Sequence, residues 1–185
     1  NVVNGSKVGI TAQATDPDAT NNTITYVLSD SAGGLFAIDA VTGVVTVADG
    51  SMLDFEAAST HSITVLATSA DGSSSSESFT INLSDFDEFN VGPITDVDAT
   101  TNSVTENAIN GTAVGITASA MDADGTTNTV TYTLADSAAG RFAIDATSGV
   151  VTVADGSLLN FESISSHVIT VLATSADGSS SSESF

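Results

Sequence analysis

Four short stretches of this 185-residue chain set acidic side chains two positions apart with an Asn close behind. Three share one spacing: Asp16-x-Asp18-x-x-x-Asn22, Asp96-x-Asp98-x-x-x-Asn102 and Asp122-x-Asp124-x-x-x-Asn128. The fourth, Asp85-x-Asp87-Glu88-x-Asn90, is denser. Alternate carboxylates on an extended or turning backbone can converge on one hard cation. Calcium takes ~6–8 oxygens from carboxylates, amide side chains and backbone carbonyls without strict geometry, whereas magnesium demands a tighter octahedron and keeps its waters. Zinc and copper recruit imidazole or thiolate. The chain has no Cys, and His61 and His167 read as single packing or surface groups. Calcium is the cation these runs suit. Of the other aspartates, all but Asp54 (Asp30, Asp39, Asp49, Asp71, Asp136, Asp145, Asp155 and Asp177) sit in turn sequences and read as caps of local backbone N–H groups.

Composition narrows the function classes. Twenty-three acids against two Lys and Arg give a formal net charge of −21, and Lys7 and Arg141 are the only fixed cations. Such a polyanion has no basic patch for nucleic acid or an anionic bilayer. Charged residues are only 14% of the chain and hydrophobic ones 41%, enough for packed cores. Without Cys there are no disulfides and no cysteine nucleophile. No apolar run reaches the ~18 residues of a membrane span, and no signal segment opens the chain. Ser73–Ser76 and Ser179–Ser182 follow Asp-Gly turns without a His base in reach, so they read as strand openings rather than nucleophiles. No acid pair has the cleft setting of a glycosidase. The expectation is a monomer that is not an enzyme.

The elements that must position the acids come in two copies. Shifting the sequence by 106 positions aligns residues 1–79 with 107–185 without a gap, and 57 of the 79 positions are identical. Ile63–Phe79 recurs verbatim as Ile169–Phe185. A period near 100 fits one whole domain per repeat. The boundary is expected at Glu88–Pro93, giving repeat one over 1–90 and repeat two over 91–185. Repeat one lacks a counterpart of 102–106, and repeat two lacks one of 80–87, so the chain reads as an excerpt of a longer array. Within each copy the period is two, as in Val8, Ile10 and Ala12, or Ile24, Tyr26 and Leu28, with turn signals roughly every 10 residues. Six strands are legible in repeat one, and a segment matching Ser103–Thr105 would supply a seventh. Antiparallel β-sandwiches of immunoglobulin-like type follow.

The order from Thr105-Glu106-Asn107 through Asp122–Asp124 resembles a cadherin repeat of the bacterial adhesin kind. Leu53–Glu56 and Asp85–Glu88 carry the same likeness, which covers nearly the whole chain. It implies two tandem cadherin-like, immunoglobulin-like Greek-key, seven-stranded β-sandwiches arranged end to end, with Ca²⁺ held at the seam between them. By the resemblance, repeat one gives that seam Asp54, Glu56, Asp85, Asp87 and Glu88. Repeat two gives Asp122, Asp124 and Asn128, the last through its backbone carbonyl. Asp16 and Asp18 would serve a preceding domain, and Glu106 and Glu162 a following one. Departures are visible: Asn160 replaces the Asp of the Leu-Asp-x-Glu motif, and Ser69 and Ser175 stand where cadherins often place an Asp. Glu88-Phe89-Asn90 replaces the more familiar Asp-Asn ending. Asp96 and Asp98 have no family counterpart and read either as a separate site or as a solvated edge.

The function implied is a Ca²⁺-rigidified extender, or spacer, in a secreted, repeats-in-toxin type adhesin of the bacterial cell surface, working in adhesion and biofilm. Its partners would be neighbouring repeats of the same chain. The alternative is a module that binds carbohydrate or a like domain. Absence of Trp and placement of Tyr26, Tyr132 and most Phe at core-periodic positions count against a sugar platform.

Overall fold

Alternation of apolar and polar side chains dictates the strands, because a strand must bury one face and wet the other. The computed structural model describes residues 2–185; Asn1, where repeat one begins, lies outside the described residues. The chain divides into two compact units, Asn1–Phe86 and Asp87–Phe185. Among the described residues, no helix is long and apolar enough to cross a membrane.

Unit 1 contains β1 (Lys7–Thr11), β2 (Ile24–Asp30), β3 (Phe36–Ile38), β4 (Val44–Val47), β5 (Thr60–Ser69) and β6 (Ser74–Asn82). They form two antiparallel sheets, ordered β1-β4-β3 and β2-β5-β6. Between them sit Tyr26, Phe36, Val45, Val47, Ile63, Val65 and Ile81, all buried. Each such side chain stabilises the fold by ~1.5–3 kcal/mol relative to exposure. The serine run opens β6, as its place after the Asp71-Gly72 turn suggests.

Unit 2 repeats this plan with β8 (Ala113–Ser119), β9 (Val130–Asp136), β10 (Phe142–Ile144), β11 (Val150–Val153), β12 (Thr170–Ser175) and β13 (Ser180–Ser184), and it adds β7 (Thr95–Asp96). Its sheets run β10-β11-β8-β7 and β13-β12-β9. Their core includes Val91, Ile94, Ile116, Tyr132, Val151, Val171 and Ala173. The all-β sandwich expectation holds in both units. The position expected for the additional strand does not: Ser103–Thr105 is irregular, and β7 takes the edge beside β8 with Thr95 opposite Ser119. Ile94 and Val91, both buried, anchor that segment in the core. Asp96 then replaces a ladder partner, accepting the amides of Thr117 and Asp98 at 3.0 Å each. Asp96 is therefore a structural cap, and Asp98 holds the next turn by accepting from the Thr100 amide at 2.9 Å.

One core residue reaches toward the acidic loops. Tyr132 is buried at the ring, and its hydroxyl accepts the Ala120 amide at 2.9 Å, two residues before Asp122. Tyr26 does the same for Ala14 at 3.0 Å, two residues before Asp16. These hydroxyls pin the start of each acidic loop to the core. Tyr132→Phe should cost about 1 kcal/mol of stability, since it orphans one part-buried amide. Thermal denaturation of the variant checks this.

Candidate metal centre

The loop between β8 and β9 in unit 2 carries Asp122 and Asp124, and both are buried. Asp124 is only 2% exposed, which is unusual for an aspartate without a cationic partner. Its Oδ1 accepts the amides of Glu88 and Phe89 at 3.3 and 3.2 Å. Asp122 Oδ1 accepts the Asp124 amide at 3.3 Å. The second oxygen of each carboxylate is buried and has no hydrogen-bond partner. A buried orphan carboxylate oxygen costs free energy unless a positive charge answers it. Among the described residues no side chain does so: Arg141 spends its guanidinium on the Leu158 and Ala138 carbonyls at 3.1 and 2.7 Å.

The loop is held in an unusual shape. Thr127 has φ +55°, a left-handed conformation that a β-branched residue rarely adopts. Buried Ser175 donates to the Thr127 carbonyl at 3.0 Å, and Asn128 Nδ2 donates to the Asp124 carbonyl at 2.6 Å. Around this frame Asp87, Asp124 and Asp177 each bring a carboxylate oxygen within 4.8 Å of the others. Desolvation pushes the Asp87 carboxyl above its ordinary value, followed by the closeness of the Asp124 carboxylate and the charges of Asp124, Asp177 and Asp122. Asp87 remains exposed as a residue, so the shift marks like charges crowded at the rim.

Unit 1 repeats the clustering without the burial, with Asp16 half-buried and Asp18 exposed. Asp16, Asp18 and Asp71 bring oxygens within 4.8 Å of one another. Asp16 Oδ1 accepts the Asp18 amide at 3.0 Å, and Asn22 Nδ2 donates to the Asp18 carbonyl at 3.2 Å. The single Ser69 hydroxyl proton is shared between Asp16 Oδ2 at 2.5 Å and the Asn21 carbonyl at 2.9 Å. Ser69 and Ser175 thus act as loop braces. Also in unit 1, Glu56 and Asp85 bring carboxylate oxygens within 4.8 Å of each other. Asp54 Oδ1 accepts the Ala57 amide at 2.9 Å. At the matching place in unit 2, Asn160 Oδ1 accepts the Ser163 amide at 2.9 Å, so the Asp-to-Asn change keeps the turn and drops a charge. Glu106 Oε2 accepts the Phe161 amide at 3.0 Å, while Glu162 is exposed. Glu88 is exposed at the start of unit 2.

Two members of these clusters are absent from the sequence-derived set. Asp71 and Asp177 do cap their hairpins, accepting the amides of Ser73 and Ser179 at 2.8 and 2.7 Å. They also face the acidic loops. The only signal in sequence was an Asp two residues after a Ser standing where an acid was expected. His61 and His167 pack against Phe36 and Phe142 with ring centroids 5.9 and 6.0 Å apart, as packing groups would.

The donor set is all hard oxygen, half-buried or deeper in part, with unpartnered oxygens at its centre. That chemistry fits a calcium-class cation rather than zinc or copper. The acids also give a pH signature. Backbone amides of Thr42, Ser148 and Thr100 hold Asp39, Asp145 and Asp98 below the ordinary value of 3.8, so their stabilisation is lost as pH falls below that value. Asp87 has the opposite sign: it destabilises when charged and is relieved as pH falls through its raised value. The ion-stripped chain should therefore gain thermal stability on mild acidification from neutral pH, then lose it below about pH 4. Saturating calcium should abolish the first gain. Midpoints across pH 3 to 7, with and without calcium, test both limbs (roughly the carboxylate range).

Two antiparallel two-sheet sandwiches in tandem, each with an acidic loop beside its core, define the class: a tandem-repeat β-sandwich protein. The cadherin domain model matches residues 1–84 and 100–184, and the chain belongs to that family. Mouse protocadherin Fat 4 is 37% identical over 166 residues, covering 88% of this chain and 3% of that protein. Zebrafish cadherin-related family member 1a is 35% identical over 164 residues, covering 83% of this chain and 19% of that protein. The chain thus spans a small part of the relatives it matches. The crystal structure of mouse cadherin-23 EC22-24 superposes with a TM-score of 0.76 at 27% identity, covering all of this chain and 58% of that one. The protocadherin gamma B4 extracellular domain shares the fold at a TM-score of 0.75 and 24% identity, covering all of this chain and 28% of that one. Cadherin domains are adhesion modules that bind calcium in general.

Proposed function

We propose that these repeats are a calcium-stiffened spacer in a large secreted surface adhesin of bacterial, repeats-in-toxin kind, serving cell adhesion and biofilm cohesion. The observation that carries the calcium reading is the pair of buried carboxylates, Asp122 and Asp124, each with an unpartnered oxygen and no cationic side chain to answer it. The bacterial spacer reading rests on sequence: 57 of 79 aligned positions are identical between copies, there is no Cys, and Lys and Arg number two. Near-identical copies suit a part whose length matters more than any one surface. The relatives reported above are vertebrate proteins, so this placement is a reading of the chain's own character.

In this reading repeat one spans 1–90 and repeat two spans 91–185. Asp54, Glu56, Asp85, Asp87 and Glu88 join Asp122, Asp124 and Asn128 in holding Ca²⁺ where the repeats meet. Asp16 and Asp18 serve a preceding repeat, and Glu106 and Glu162 a following one. The support is the order of the motifs and the family to which the chain belongs. Without cation these acids repel, since two unit charges ~4 Å apart cost about 4 kcal/mol at an effective dielectric near 20. With cation the repulsion becomes shared coordination, and the linker stiffens. The repeats do no catalysis; their partners are neighbouring repeats.

Small-angle scattering tests the spacer. Chelation should widen the range of interdomain angles, and calcium should narrow it again. Scattering that calcium leaves unchanged would sink the stiffening role. Tyr26 and Tyr132 are buried with engaged hydroxyls, so they offer no sugar platform, and a glycan array should stay blank.

A further inference from the structure

We propose that Asp177, at the tip of the β12–β13 hairpin, is a direct ligand of a divalent cation held with Asp87 and Asp124. The proposal rests on the calcium reading above and adds a ligand that its motifs do not supply. Three observations in unit 2 carry it. Asp177, Asp87 and Asp124 each place a carboxylate oxygen within 4.8 Å of the other two. Asp124 is 2% exposed, and its Oδ2 has no hydrogen-bond partner. Ser175, two residues earlier, brings no carboxylate charge to the site; it is buried, and its hydroxyl donates to the Thr127 carbonyl at 3.0 Å.

The hairpin is built to present this acid. Gly178 has φ +96° and its amide donates to the Ser175 carbonyl at 3.1 Å, closing the turn behind Asp177. The Ser179 amide fixes Asp177 Oδ1 at 2.7 Å, so the carboxylate is oriented before any ion arrives. The second oxygen stays available. Unit 1 shares the hairpin geometry, with Asp71 fixed by the Ser73 amide at 2.8 Å and clustered with Asp16 and Asp18. A cation bridging Asp87, Asp124 and Asp177 would tie together three segments of one sandwich: its entry, the β8–β9 loop and the β12–β13 hairpin. The acid stands two residues beyond Ser175, and the serine braces the loop.

Calorimetric titration of the whole ion-stripped chain with CaCl₂ tests this. Asp177→Asn and Asp177→Ser both keep an oxygen acceptor for the Ser179 amide while removing the charge. Asp136→Asn, exposed at the end of β9, is the charge control. Both Asp177 variants should lose about tenfold or more in the affinity of at least one calcium-binding step, while Asp136→Asn binds like wild type. Their ion-free melting midpoints should equal or exceed that of wild type, because a repelling charge has gone. A purely structural Asp177 would show the reverse, with a lowered ion-free midpoint and unchanged affinity, and that result overturns the proposal. If Asp122→Asn abolishes binding while the Asp177 variants titrate like wild type, this inference fails alone. If wild type takes up no calcium, the underlying reading fails as well.

Discussion

Calcium should raise the melting midpoint of the ion-stripped chain by on the order of 10 °C, and this is among the largest effects expected of any change in conditions. A ligand that binds only the folded state stabilises by about 2.7 kcal/mol at a hundredfold excess over its Kd, and each kcal/mol moves a domain of ~100 residues by roughly 4 °C. Extracellular calcium modules bind with Kd on the order of 10⁻⁴ M, so ~10 mM reaches that excess. The sign follows from the loop: Asp122 and Asp124 are desolvated whether or not an ion is bound, and the folded state bears that cost until a cation arrives. Differential scanning calorimetry in chelator, calcium and magnesium reads it directly. Magnesium should give a smaller shift, because it demands a tight octahedron and gives up its waters reluctantly. Identical midpoints in all three solutions would contradict it.

The second large effect is steric. Gly156→Ala should destabilise unit 2 by roughly 3 kcal/mol, as overpacking against rigid backbone does. A Cβ there would lie 1.8 Å from the Ala108 carbonyl oxygen and 3.0 Å from its carbon. The neighbour cannot yield cheaply, because Asn110 Oδ1 accepts the Gly156 amide at 3.0 Å and Gly111 donates to the Val153 carbonyl at 2.8 Å. Gly50 meets the Val2 carbonyl oxygen at the same 1.8 Å, so Gly50→Ala should do equal harm in unit 1. Gly178→Ala is the contrast: it has φ +96° but nothing within 4 Å of the added carbon, so only backbone strain of roughly 1–2 kcal/mol applies. Chemical denaturation of the three variants ranks them. Equal losses would show that close approach is not what selects glycine at these turns.

The strands were legible because a half-buried sheet imposes period two, and Ile24, Tyr26 and Leu28 or Val150 to Val153 carry it plainly. The first strand of unit 2 was not. Its anchors, Val91 and Ile94, are three apart across Gly92-Pro93, a spacing that reads as a turn, while Ser103-Val104-Thr105 has the composition of a strand without a partner. Asp96 shows why spacing alone misleads. It shares its run with Asp122, yet it caps the Thr117 amide in place of a ladder bond. Asp16 and Asp122 could be singled out from motif and spacing. Asp177 could not, because a carboxylate that caps a hairpin and one that also faces a cation share the same sequence, Asp-Gly-Ser. Burial decides between them, and burial of Asp124 depends on how residues 87–89 fold back over the loop, as the Glu88 and Phe89 amides on its Oδ1 record.

The most direct test removes the charge while keeping the hydrogen bonds. Asp124→Asn retains an Oδ1 acceptor for the Glu88 and Phe89 amides but leaves the cluster one carboxylate short. Direct calcium uptake, measured by equilibrium dialysis of the native chain and of this variant at millimolar free ion, should show bound metal on the first and a clear deficit on the second. Native chain emerging metal-free, or both binding alike, would mean that the buried acids of this loop answer to something other than a cation.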